Sequence, residues 1–188
     1  RNVTGVQTCA LPIYSVTVTL GTTVVGDISV QDTAATGIDS LTINDQAGAA
    51  STFTVSSSQI SKGSIDISFD SGVENVTLAG ADGNDNYTIN AGNANRTVAL
   101  TDASGTENIM LNGTAAADVI RVSESSLQVG NETYTTGTAL EHVTVNGGNG
   151  ADMISVTSST TVPFTINGGS PTTLPGDTLE LLGNGTIN

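Results

Sequence analysis

The chain has 188 residues, of which 18 are Asp or Glu and only 4 are Lys or Arg, giving a formal net charge of −14 at pH 7. So little positive charge excludes nucleic acid and anionic lipid as electrostatic partners, because both need clustered cations. Hydrophobic residues reach 37% but aromatic ones only 3%, with no Trp, so a core has to be built from Val, Ile, Leu and Ala.

Taken in chain order, residues 3–13 read VTGVQTCALPI and resemble the in-frame translation of a sequencing-adapter oligonucleotide. The resemblance implies that residues 1–13 are a non-native, adapter-derived scar and that the native portion is 14–188. It sets aside Cys9, the only cysteine, and with it any disulfide, zinc or thiol chemistry. No later run approaches the ~18 apolar residues of a helical membrane span, so no membrane insertion is expected.

The sequence then repeats. A short GDISV at 26–30 precedes four segments that align without gaps: IDSLTIN at 38–44, VENVTLA at 73–79, TENIMLN at 106–112 and LEHVTVN at 140–146. Each leads through a Gly-, Ala- or Asp-rich bend to a second strand: TFTV at 52–55, NYTI at 86–89, VIRV at 119–122 and MISV at 153–156. A third, looser strand follows in IDISF (65–69), RTVAL (96–100), SLQVG (126–130) and VPFTI (162–166), and a shorter GDTLELLG occupies 176–183. Short strands, tight turns and no helical period predict an all-β fold. The spacing predicts a parallel β-helix, a solenoid of roughly 34-residue three-strand coils. It is expected to be a single solenoid fragment over 14–188, incomplete at both ends.

Stacked coils place equivalent residues about 4.8 Å apart, so the alignment becomes a set of columns. Leu41, Val76, Ile109 and Val143 form one, and Ile43, Leu78, Leu111 and Val145 the next on the same strand face. The second strand supplies Phe53, Tyr87, Ile120 and Ile154, then Val55, Ile89, Val122 and Val156. These four columns are the expected core, with Thr42, Thr77 and Thr144 facing outward between them.

The bend before MISV runs Gly147, Gly148, Asn149, Gly150, Ala151, Asp152, Met153, Ile154 and fits the pattern G-G-x-G-x-D-x-U. It resembles the calcium-binding nonapeptide of hemolysin-type (repeats-in-toxin) proteins. A second copy runs from Gly80 through Gly83 and Asp85 to Tyr87, with Ala81 in place of the second Gly. Gly113 and Asp118 keep the outline of another, and the first coil has Ser51 where the Asp would stand. In that family calcium lies between neighbouring turns, held by the motif Asp and by glycine-loop carbonyls, and the motif recurs every nine residues; here it recurs once per coil. The resemblance implies Ca2+ as a cofactor, with Asp85, Asp118, Asp152, Gly80, Gly83, Gly147, Gly148 and Gly150 forming the metal sites.

The residues leave two readings of those Asp side chains open. Three stacked carboxylates about 5 Å apart, without Lys or Arg nearby in sequence, need compensation that a hard cation supplies. Alternatively each Asp accepts backbone N–H bonds from its own Gly turn and stays solvated. A second acidic column, Asp39, Glu74, Glu107 and Glu141, reads as a solvated turn face or as a cation stripe. Asn44, Asn112 and Asn146 read as an amide ladder.

Catalytic chemistry is poorly supplied. The only histidine, His142, aligns with Ser40, Asn75 and Asn108 in a polar turn column, and Lys62, Arg96 and Arg121 fall at unrelated repeat positions. Neither G-x-S-x-G, H-E-x-x-H nor a phosphate-cradling loop occurs. The expectation is a non-enzymatic structural or adhesive repeat region of a large secreted or cell-surface bacterial protein, stabilised by calcium. Its expected partners are cell-surface glycans or other matrix proteins. The alternative is a fragment of a carbohydrate-active β-helix enzyme, a polysaccharide lyase or hydrolase.

Overall fold

The computed structural model describes residues 7–9, 15–21, 26–32, 37–46, 48–102, 104–137, 140–171 and 173–183. Every regular element among them is a β-strand. In chain order these are β1 (Gln7–Cys9), β2 (Ser15–Leu20), β3 (Ile28–Asp32), β4 (Asp39–Asp45), β5 (Thr52–Ser56) and β6 (Gln59–Lys62). Next come β7 (Ile65–Phe69), β8 (Val73–Ala79), β9 (Asn86–Asn90), β10 (Thr97–Thr101), β11 (Glu107–Asn112) and β12 (Val119–Val122). Then follow β13 (Ser126–Val129), β14 (Glu132–Thr136), β15 (Leu140–Asn149), β16 (Met153–Thr157), β17 (Phe164–Ser170) and β18 (Thr178–Leu182).

They form two nine-stranded mixed sheets, ordered β1-β3-β7-β6-β5-β9-β11-β15-β17 and β18-β16-β12-β13-β14-β10-β8-β4-β2. The chain changes sheet at every connection except inside two antiparallel excursions, β5-β6-β7 and β12-β13-β14. Successive visits to one sheet pair in parallel, as in β8–β10, β9–β11 and β15–β17. A parallel pair needs a crossover connection. Here the crossover is a strand of the other sheet rather than a helix.

This path corrects the expected three-strand coil. Val76 pairs with Leu41, 35 residues earlier, but also with Val98, only 22 later. Tyr87 likewise pairs with Ile109 at 22 residues, whereas Ile109 pairs with Val143 at 34. The shorter step is one passage through both sheets; the longer step is the same passage plus a hairpin excursion. Segments IDISF and SLQVG lie in the excursions, while RTVAL and VPFTI belong to parallel-paired strands. The expected columns therefore split. Leu41 and Val76 share one sheet with Ile120 and Ile154, and Phe53 and Tyr87 share the other with Ile109 and Val143.

All sixteen residues of the four expected columns are nevertheless buried, none more than 4% exposed. Residues of both sheets belong to one core cluster, which also takes in Val98, Leu100, Leu127, Val129 and Tyr134. Alternation along β11 buries Ile109 and Leu111 while Met110 remains 44% exposed. Leu111→Ala is expected to cost about 2–5 kcal/mol in urea unfolding, through lost burial plus a residual cavity. Met110→Ala, one residue away on the opposite face, is expected to stay within about 0.5 kcal/mol. Equal effects of the two changes would contradict the face assignment.

Candidate functional site

Because the strands within each sheet that receive the crossings run parallel, turns leading from the first sheet to the second line one edge, and turns in the reverse sense line the other. Asp118, Asp152 and Asp177 stand on the first edge, ahead of β12, β16 and β18; Asp85, Asp102 and Glu107 stand on the second. The expected stack of Asp85, Asp118 and Asp152 is thus divided, with only Asp118 and Asp152 in neighbouring turns. The reason is the change of sheet at every crossing, which moves the motif from one edge to the other.

The glycine turns show why Gly and Asp occur five residues apart. A Cβ on Gly80 would lie 2.5 Å from Asp85 Oδ2, one on Gly113 2.8 Å from Asp118 Oδ2, and one on Gly147 2.5 Å from Asp152 Oδ2. Each carboxylate folds back over its glycine. The oxygens then reach backbone donors: Asp118 N–H donates to Asp152 Oδ1 at 2.9 Å, Asp152 N–H to Asp177 Oδ1 at 3.0 Å and Ser51 N–H to Asp85 Oδ1 at 2.7 Å. Only Asp118 bonds its own turn, accepting from Thr114 N–H at 2.6 Å and the Thr114 hydroxyl at 3.0 Å. Most of these carboxylates therefore stitch neighbouring turns rather than capping their own, and they are buried rather than solvated, at 0% for Asp85, 6% for Asp118 and 1% for Asp152.

The remaining glycines of the motif serve close approach between turns. Gly150 has φ +116°, and a Cβ there would meet Ala116 and Ala117 backbone at 2.5 Å; Gly83, at φ +141°, presses on the Ala49–Ala50 backbone. Gly147 to Asn149, expected as a bend, instead prolong β15 and pair with β17 through Gly148 opposite Gly169.

Other columns resolve into shorter contacts. Asp39 N–H donates to Glu74 at 2.8 Å and Glu107 N–H to Glu141 at 2.7 Å, so the second acidic column is two separate pairs. The amide ladder is longer than expected: Asn112 donates to Asn90, Asn146 to Asn112 and Asn167 to Asn146, at 2.8–2.9 Å, while Asn44 lies in the other sheet. His142 pairs with Asn108 along the strands, but Ser40 and Asn75, expected in the same column, pair with each other in the other sheet.

Positive charge is spent elsewhere. Lys62 forms an ion pair with Asp45. Arg96, 5% exposed, donates to the carbonyls of Val73 at 2.7 Å and Asp70 at 2.6 Å and lies 4.6 Å over the Phe69 ring. The Lys62–Asp45 pair stands on the second edge, where Ser51 donates to both Asp45 and Asp85. Asp85 Oδ2, the Tyr87 hydroxyl and both Glu107 carboxylate oxygens are buried without a hydrogen-bond partner. A small cavity of about 20 Å³ adjoins Tyr87, Asp102 and Glu107. No group of three or more His, Cys, Asp or Glu side chains among the described residues is arranged as a ready-made metal site.

Asp102, Asp177 and the role of Tyr87 were missed from sequence. Asp177 lies nine residues after Gly168, whose Cβ it would meet at 2.3 Å, so its turn is longer than the five-residue spacing that marks the others. Asp102 follows the end of β10 with no glycine motif around it.

Burial raises the pKa of Asp85 and Asp152, and burial together with Asp102 pushes Glu107 up to about 7. Glu107 in the folded protein thus holds a proton that the unfolded chain releases near 4.5, and its contribution to stability is complete below that value and is lost as pH rises through about 7. In chelator, the melting temperature is expected to fall across this interval, and Glu107→Gln to flatten the fall. A melting temperature that climbs over the same range in a Glu107-dependent way would contradict this. Compared with protein families, with curated proteins and with solved structures, the chain finds no match.

Proposed function

We propose that this chain is a structural or adhesive repeat region of a large secreted or cell-surface bacterial protein, coiled as a β-solenoid of two-strand passages with hairpin excursions and stabilised by calcium. The observation that carries the reading is the alternation of the chain between two sheets with parallel pairing at successive visits, which extends by addition of similar units. Units of that kind present long regular faces suited to glycans or other matrix proteins.

The supply of catalytic groups favours a scaffold over a carbohydrate-active enzyme. Lys62 lines one surface depression, Asp177 a second and Arg121 a third, and none of these brings a carboxylate and a base together. The calcium part is supported by Asp118, Asp152 and Asp177, oxygen ligands in successive turns of one edge that are closed over glycines.

Thermal melts of the full chain in millimolar calcium and in excess chelator test the metal. Calcium is expected to raise the melting temperature, and Asp118→Ala or Asp152→Ala to remove most of the rise. Coincident melts of the unaltered chain would remove calcium from this edge. Incubation with acidic and neutral polysaccharides is expected to yield neither new reducing ends nor unsaturated sugars; sustained turnover would overturn the scaffold reading.

A further inference from the structure

We propose that the outer face of the first sheet, over β9, β11, β15 and β17, binds an extended, neutral, β-linked polysaccharide that runs across the strands with one sugar over each. The inference rests on the adhesive reading of the chain and names the face and the ligand class.

The face carries no acid or base of the charged kind. The paired segments 86–90, 108–112, 142–146 and 164–167 contain no Asp, Glu, Lys or Arg, in a chain with 18 acidic and 4 basic residues. The acidic turns lie at the ends of these strands, not on their faces. The outer face of the second sheet lacks an amide ladder and carries Arg121 and Glu180 on either side of Ser155.

What the first face offers is two parallel rows of hydrogen-bonding groups. One is the ladder from Asn90 to Asn167, joined amide to amide at 2.8–2.9 Å. Each link uses one N–H and one lone pair, and an Asn side chain has two of each, so Asn112 and Asn146 both keep a donor and an acceptor for a ligand. The other row is Thr88, Met110, Thr144 and Thr165, paired in register and two residues away along the strands, about 6.6 Å. Asn90, Thr165 and Asn167 are exposed, and Met110 is 44% exposed.

Rungs recur at the strand spacing, about 4.8 Å, and an extended β-linked pyranose chain advances by close to one such spacing per sugar. Sugar hydroxyls both donate and accept, as the free amide groups do. A ring laid across the gap between the rows reaches an amide on one side and a Thr hydroxyl on the other, while Met110 gives its C–H face a polarisable apolar contact. Other occupants fit less well. An anionic glycan meets no Lys or Arg here and approaches a chain of net charge −14. A protein partner needs an apolar, desolvated centre, and Met110 alone among amides and hydroxyls does not supply one.

Native electrophoresis of the full chain through gels containing hydroxyethyl cellulose or galactomannan tests the face, with alginate as the anionic control and a polymer-free gel as the reference. Retardation by the neutral polymers is expected, and little by alginate. Met110→Glu is expected to weaken binding at least about tenfold by placing a carboxylate beneath an uncharged ligand. Thr144→Val, which removes only a hydroxyl, is expected to weaken it about fivefold. Thr97→Glu, which adds the same charge at an exposed position of the other sheet, is expected to leave it unchanged. Circular dichroism checks that each variant folds. Retardation that survives both Met110→Glu and Thr144→Val overturns this face while the adhesive reading stands. No retardation by either neutral polymer, or equal retardation by alginate, overturns the ligand class and leaves matrix proteins as the partner of the adhesive reading.

Discussion

Parallel pairing between successive visits to a sheet brings like residues face to face at about 4.8 Å, and the rest of the molecule follows from what each kind of residue does at that distance. Val, Ile and Leu pack into continuous rows, which is why a chain with so few aromatic side chains still closes a core. Asn side chains gain from the repetition, since each amide both donates and accepts, and Asn90, Asn112, Asn146 and Asn167 run unbroken through four strands. Carboxylates lose from it, because the stacking that aligns an apolar row also aligns negative charge.

The protein answers that repulsion in three ways. Backbone N–H groups of the adjacent turn donate to one oxygen each of Asp152, Asp177, Glu74 and Glu141, an arrangement that turns the acids into stitches between turns, while Asp152 Oδ2 stays buried without a partner. Cations answer it where they exist, with Lys62 at Asp45 and buried Arg96 among Asp70, Glu74 and Glu132. Arg121, exposed on β12, is distant in sequence from both acidic turns of the second edge. The group around Asp85 and Glu107 keeps several buried carboxylate oxygens without a donor, and burial favours its protonation.

Much of the core was legible because a two-residue alternation marks an inward face whichever strand lies beside it: Leu41, Ile89, Leu111 and Val156 are buried as the pattern required. Neighbour relations were not legible, because the spacing near 34 residues is a sum. The signal for its parts was present. Gly63-Ser64 and Gly130-Asn131 each separate two short strands by two residues beginning with Gly, the mark of a tight hairpin, and both glycines have positive φ, at +60° and +56°. Reading those two turns would have removed the excursions, exposed the 22-residue passage and placed RTVAL beside VENVTLA. The glycine-to-Asp spacing of five did identify the residues that fold back on themselves, but spacing within one turn carries no information about which edge that turn lies on.

The same geometry connects the acidic balance to stability. A cation that binds only the folded chain stabilises it by RT ln(1 + [L]/Kd), about 2.7 kcal/mol at one hundred times Kd. In a stacked architecture, each acidic turn meets the same dissolved ion, so modest affinities at separate turns act together on one cooperative core. Protons can serve the same buried carboxyls, but Glu107 holds its own only below about 7. At higher pH part of the charge on the second edge is met by Lys62 at Asp45, while Arg96 is engaged at Val73 and Asp70. The dependence of this fold on its ionic surroundings therefore follows from stacking acids in a chain with almost no cations of its own.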